Sequence, residues 1–150
     1  MNINDAILKL QAAYPRIYLA CHSHHQHSRT TPDEISQRDA TLLAHLDQQV
    51  PLAQATLAEH LGINKSTLSE AIKKLVTRGY VERIARADDE RSHFLKLTPA
   101  GLMAMSRSSV LETPRLQMLL QQLSPTELAT AVAGLEILGR AALNIPKESE

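Results

Sequence analysis

The chain has 150 residues, 43% of them hydrophobic but only 3% aromatic, with no Trp. Its core must come from Leu, Ala, Ile and Val, which leans towards helices and excludes a disordered chain. Sixteen basic residues balance sixteen acidic ones, so bulk charge does not make this a nucleic-acid binder. The stretch Lys65 to Lys96 is different: eight basic residues against five acidic ones leave a local positive excess. A single Cys excludes an internal disulfide and fits a reducing compartment, so the cytoplasm is expected. No apolar run reaches the length of a bilayer, so no membrane association is expected, and the N-terminus lacks the layout of a secretory signal.

In chain order, residues 4 to 27 predict a helix interrupted near Tyr14-Pro15, because proline lacks a backbone donor and crowds the preceding turn. Thr31-Pro32-Asp33-Glu34 is a capping box that opens a helix to about Gln48, with Ile35, Leu42, Leu43 and Leu46 inward. Val50-Pro51-Leu52 allows only a scrap of edge strand. A short helix follows with Leu57, Ala58 and Leu61 inward; it stops at Gly62, and Ile63 follows as a plug. Tyr80 to Ala85 and His93 to Leu97 are two β-prone runs joined by the charged seven-residue loop RADDERS. Thr98-Pro99 starts a helix to about Leu111, Thr113-Pro114 starts a shorter one, and the capping box Ser124-Pro125-Thr126-Glu127 opens a final helix carrying Leu128, Val132, Leu135, Leu138 and Leu143.

The stretch Asn64 to Gly79, NKSTLSEAIKKLVTRG, is the most informative. Asn64 suits an N-cap, and Leu68, Ile72 and Leu75 recur at i, i+4 and i+7 beside Ala71. The other face carries Lys65, Ser66, Thr67, Ser69, Glu70, Lys73 and Lys74, and Gly79 suits a left-handed helix end. Two helices joined by a tight turn containing glycine, the second amphipathic, are the layout of a helix-turn-helix, and the hairpin after them is a wing. Such a front of short donors and amines suits a DNA major groove; a plain solvated face explains the same pattern. Glu70 can accept from a cytosine amino group or pair along the helix with Lys73 or Lys74. No nucleophile elbow, phosphate loop, zinc-protease motif or glycine-rich cofactor turn is present in the sequence, so no enzymatic activity is expected.

The segments LAEHLGINKSTLSEAIKKLVTRGYVER and ADDERSHFLKLTPAG resemble the MarR family of winged-helix transcription regulators. The likeness covers residues 30 to 140 by layout and is specific from 55 to 101. It implies a mainly α fold with a small β-hairpin: a winged helix-turn-helix DNA-binding lobe, about residues 32–111, plus a helical dimerisation region from both termini, about 1–31 and 112–146. It further implies a homodimer on double-stranded DNA, acting as a repressor at an inverted repeat and released by a small-molecule, metal or oxidant signal. The groove-facing residues would be Lys65, Ser66, Thr67, Ser69, Glu70 and Lys73. In the wing, Asp89 and Arg91 match the family's tip, with Arg91 the minor-groove residue and Asp89 its orienting partner. Arg86, also a DNA-binding candidate, stands where an Asp is common, and Asp88 and Glu90 stand where bases are common. The alternative is a winged-helix module that binds protein rather than DNA.

Signal reception points to the end of the first helix, where Cys21, His22, His24, His25 and His27 lie within seven residues. At helical spacing Cys21, His24 and His25 can ligate zinc or another transition metal, with His45 or a residue from the other protomer as a further ligand. Histidines at a helix C-terminus also suit its dipole, a dimer interface or the edge of a ligand pocket. Cys21 is a redox switch beside Tyr14 and Tyr18, as in some relatives, or simply a small buried hydrophobe. A small organic acid or phenol as effector would be lined by Arg16, Tyr18 and His22.

Overall fold

The computed structural model describes residues 1–22, 35–86 and 88–145, with the backbone alone at Arg86 and residues 89–92. The elements are α1 (Ile3–Cys21), α2 (Gln37–Ala44), β1 (Leu52–Ala53), α3 (Gln54–Leu61), α4 (Lys65–Thr77), β2 (Val81–Arg86), β3 (Asp89–Leu97), α5 (Pro99–Arg107), α6 (Thr113–Leu120) and α7 (Pro125–Ala142). The fold is mainly helical with one small antiparallel sheet, as expected. Contacts divide the chain into two units: Met1–Arg29 with Ser109–Glu136, and Thr30–Ser108 with Ile137–Glu150.

The second unit holds the winged-helix lobe and almost all of the described core. Ile35, Leu42, Leu43 and Leu46 are buried with Leu57 and Ala58 of α3, Leu68, Ile72 and Leu75 of α4, and Val81, Leu95 and Leu97 of the sheet. Each Leu or Ile buried in this way stabilises the fold by about 1.5–3 kcal/mol before entropy is counted. The three α4 residues are the i, i+4, i+7 stripe, so helical periodicity alone places the back of that helix. The sheet order is β1-β3-β2, with Leu52 paired to Leu95 and Val81 to Leu97. Pro51 limits β1 to two edge residues, as read from the sequence.

Caps fix the ends of the helices. Thr98 Oγ1 donates to the Gly79 carbonyl at 2.6 Å and accepts from the Gly101 N–H at 3.0 Å, tying the start of α5 to the end of the α4 turn. Gly101 must stay small: a Cβ there would collide with the Tyr80 carbonyl and lie 2.8 Å from Leu97 Cδ1. Ser124 and Glu127 form the reciprocal capping box ahead of α7, with Ser124 Oγ donating to Glu127 Oε2 at 2.6 Å. That hydroxyl bond, with the Ser124 N–H, holds the Glu127 carboxyl below its ordinary range.

Four expectations are corrected. First, α1 passes through Pro15 without a break and ends at Cys21, not near residue 27. The N–H that proline lacks deprives only the Gln11 carbonyl, and Gln11 is exposed, so water can serve it. His22 is already extended and bridges Leu111. Second, α2 starts at Gln37, where Ser36 Oγ accepts from the Asp39 N–H at 3.0 Å, and it ends at Ala44; the Thr31–Glu34 box lies outside the described residues. Third, the seven-residue loop is largely strand: Arg86 pairs with Asp89 after an irregularity that follows the Ala85–His93 pair. Ladder bonds use the backbone, so charged side chains do not prevent pairing. Fourth, α5 ends at Arg107 rather than near Leu111.

Candidate nucleic-acid interface

The helix-turn-helix is built by Gly62. Its backbone is left-handed (φ 62°, ψ 30°), a conformation that costs a residue with a Cβ about 1–2 kcal/mol. The Gly62 N–H donates to the Glu59 carbonyl and the Ile63 N–H to the Ala58 carbonyl, each at 3.2 Å, so α3 closes tightly. Asn64 then caps α4, its Oδ1 accepting from the Thr67 N–H and the Ser66 hydroxyl, both at 2.8 Å.

Leu68, Ile72 and Leu75 anchor α4 to the core, and Lys65, Ser66, Ser69, Glu70 and Lys73 are exposed while Thr67 is half-buried. The N-terminus of α4 therefore presents free N–H groups, a positive dipole end and Lys65 together, which favours phosphate. Past the helix, Arg78 stacks over the Tyr80 ring with its guanidinium carbon 4.8 Å from the centroid, which holds the entry to β2. On the hairpin the backbone sets Arg86 opposite Asp89, and Arg91 two residues further along β3. Three residues missed by the sequence reading, Gln54, Arg83 and His93, line a cleft beside Lys65 and Ser69. A signal was present: alternation in β2 and β3 puts Arg83 and His93 on the side of Val81, Leu95 and Leu97, so two polar residues sit at inward positions.

The proposed sensor residues fall in the other unit. Tyr14, Tyr18 and His22 form a ladder on α1, with ring centroids 6.2 and 4.3 Å apart. His22 Nδ1 lies 3.2 Å from the Val110 carbonyl and Nε2 3.2 Å from the Tyr18 hydroxyl. A carbonyl only accepts, so a neutral His22 carries its proton on Nδ1 and accepts the Tyr18 O–H at Nε2. Cys21 is fully buried, its carbonyl accepting from the Glu112 N–H at 2.8 Å, and Arg115 Nη1 donates to the Ala20 carbonyl at 3.0 Å. Arg16, two residues from Tyr14 and from Tyr18, is exposed and stands off the ladder. Among the described residues no group of three or more His, Cys, Asp or Glu side chains could hold a metal. His24, His25 and His27 lie outside the described residues, and α1 ends at Cys21. His45, in the other unit, donates from Nδ1 to the Thr41 carbonyl at 2.8 Å.

A capped, core-anchored second helix after a glycine turn, followed by the β2–β3 hairpin as a wing, defines a winged helix-turn-helix. Residues 33–92 match the model of the MarR family, the family that the sequence of this lobe resembles. An uncharacterised HTH-type transcriptional regulator of Bacillus subtilis, YdgG, is 33% identical over 69 residues; the match spans 45% of this chain and 45% of that protein, so under half of the relative's length is covered. Among solved structures, a mutant MepR from multidrug-resistant S. aureus is similar with a TM-score of 0.51 and 20% identity, over 90% of each chain. The PcaV regulator of Streptomyces coelicolor is 24% identical, with 95% of this chain and 94% of that one covered and a TM-score of 0.48. At 20% identity the MepR likeness speaks to fold. Among the described residues no helix is long and apolar enough to cross a membrane.

Proposed function

We propose that this protein is a sequence-specific, DNA-binding transcription regulator that works as a homodimer in the cytoplasm. It represses from an inverted-repeat operator and lets go when a signal arrives. The observation that carries this reading is α4: a polar face of Lys65, Ser66, Ser69, Glu70 and Lys73 is held outward by a stripe with no solvent exposure at Leu68 and Ile72. An enzyme would need a reactive constellation, and this face offers donors, amines and one carboxylate instead. Lys65 and Ser66 suit phosphates at the helix N-terminus, whereas Ser69, Glu70 and Lys73 reach further towards base edges. Arg91 serves as the wing's minor-groove residue and Arg86 and Asp89 flank it.

Dimerisation is supported by unburied apolar surface. Ile3, Leu8, Leu10 and Leu19 of α1 and Val132, Leu135, Ile137 and Leu138 of α7 are all exposed in the single chain. Apolar surface this extensive marks an interaction site, and a second copy of the chain is the partner that also supplies the second reading helix. The signal enters at the α1 end, through the Tyr14–Tyr18–His22 ladder and Cys21; a small phenol or organic acid, or an oxidant, are the chemistries these side chains can answer.

The test is a titration of the protein into labelled duplexes from the DNA flanking its own gene, followed by anisotropy at two salt concentrations. Saturable binding that weakens steeply with salt, and is stronger for one duplex than for a shuffled one, is the expected result. A protein that binds no duplex, yet captures a protein partner, makes the lobe an interaction module instead.

A further inference from the structure

One hydroxyl joins the helices on either side of the wing. α4 closes on a left-handed Gly79 (φ 77°), with the Gly79 N–H donating to the Val76 carbonyl and the Tyr80 N–H to the Leu75 carbonyl, each at 2.9 Å. The carbonyls of the same two residues accept from Thr98: Gly79 from its Oγ1 at 2.6 Å, and Tyr80 from its N–H at 3.1 Å. That Oγ1 also accepts from the Gly101 N–H at 3.0 Å and so caps α5. Gly101 is buried where a Cβ would collide with the Tyr80 carbonyl, so the start of α5 seats on the exit of α4 without slack.

An N-cap needs only an acceptor, which Ser, Thr, Asn and Asp all supply. Thr98 does more than that position asks. A hydroxyl accepts and donates through one oxygen, whereas an ionised carboxylate only accepts and an amide divides the two tasks between atoms. The second bond of Thr98 goes to the end of α4, nineteen residues back in the chain. Leu68, Ile72 and Leu75 are buried and decide which face of α4 turns inward, but burial is non-directional and leaves height and tilt loosely set. Hydrogen bonds are directional. The two from Thr98 fix the last turn of α4 against α5.

We infer that Thr98 is a positioning residue for DNA reading: its hydroxyl holds the C-terminal turn of α4 on the start of α5, and so sets where Ser69, Glu70 and Lys73 stand against the bases. The assignment rests on the DNA-binding reading above and gives Thr98 no contact with the duplex. Base contacts need side chains held within about 0.5 Å, whereas attraction to phosphates is felt over a Debye length of about 8 Å. Loosening the bridge therefore costs discrimination between sequences and leaves general affinity almost intact. A residue that merely stabilised the lobe would change the folded fraction, and with it both affinities equally.

Three variants separate the bridge from the cap. Thr98→Asp keeps an acceptor for the Gly101 N–H but has no proton for the Gly79 carbonyl; Thr98→Val has neither, and Thr98→Ser has both. Each is titrated by anisotropy into a preferred duplex and a shuffled one at one salt concentration, and the ratio of the two Kd values is read. Thr98→Ser should hold the natural ratio within about twofold, whereas Thr98→Asp and Thr98→Val should lower it about tenfold, the worth of one base contact. The charge added by Thr98→Asp weakens both duplexes alike and cancels in the ratio. A natural ratio in folded Thr98→Asp and Thr98→Val, with duplex binding intact, overturns the positioning role and leaves the DNA-binding reading standing. The second readout, amide hydrogen exchange, needs no DNA. Thr98→Asp should speed exchange at Gly79 and Tyr80 by about fivefold, as loss of one hydrogen bond implies, while the Gly101 and Thr67 amides keep their natural rates. Faster exchange there in a protein that binds no duplex upholds the bridge and removes the DNA-binding reading instead. Unchanged exchange at Gly79 and Tyr80 overturns the bridge itself.

Discussion

The two units of this chain hold their apolar residues in opposite ways. The winged-helix lobe buries Leu42, Leu43, Leu57, Leu68, Ile72, Leu75 and Leu95 almost completely. The unit made from α1, α6 and the first part of α7 buries only Cys21 among its described hydrophobics, while Leu8, Leu19 and Leu135 stand two-thirds exposed. One unit is closed around its own core; the other has the composition of a core without the neighbours to make one. A sequence rich in Leu and Ala can therefore specify both a folded lobe and an exposed apolar surface, and only the pattern of burial separates the two.

That contrast can be broken from the closed side first. Leu68→Ala removes a fully buried side chain beneath the reading face, and should cost about 2–5 kcal/mol in urea or thermal unfolding. Little or no loss of stability would mean that α4 is not anchored as described. From the open side, Leu135→Glu puts a charge on an exposed apolar position. Sedimentation should then show monomers, and affinity for a two-half-site duplex should fall on the order of a hundredfold as avidity disappears. A variant that remains dimeric and binds normally would detach Leu135 from the interface.

Smaller effects sharpen the comparison inside the lobe. Asn64→Ala leaves the Thr67 N–H uncapped and should lower stability by about 1 kcal/mol; a melting temperature identical to that of the natural protein would remove the cap from the account. The smallest effect concerns Asp47, whose carboxylate accepts the Gln49 N–H at 2.6 Å and the Val50 N–H at 3.0 Å and so lies below its ordinary pKa. A pKa lowered on folding contributes stability that is complete above the unfolded value near 3.8 and is lost as pH falls through the folded value. Asp47→Asn keeps an acceptor but loses the charge, so it should cost less than about 1 kcal/mol at neutral pH, a difference that closes in strong acid. A gap that widens on acidification would reverse the sign assigned here.

Much of the lobe was legible because its devices are local. Asn64, Gly62 and the Thr98 cap on Gly101 act within three or four residues, and the α4 stripe needs only a period of 3.6. Features that depend on distant partners were not. The end of α1 is set by the Cys21 carbonyl meeting Glu112 and by Arg115 reaching Ala20, residues more than ninety positions apart. The wing strands run further than their β-prone residues suggest because backbone pairing is blind to charge. The cleft draws on positions 54, 65, 83 and 93, from four elements, and only the folded chain brings them together. For the histidines, the described chain gives only His22, extended at the end of α1.

The central claim, that the exposed face of α4 reads DNA as one of a symmetric pair, is tested most directly by selecting duplexes from a random pool with the purified protein. The account predicts enrichment of an inverted repeat whose half-sites lie about one helical turn apart, with the preferred bases altered by Glu70→Ala. Repeated rounds that enrich no sequence, or a single half-site indifferent to every residue of that face, would contradict it.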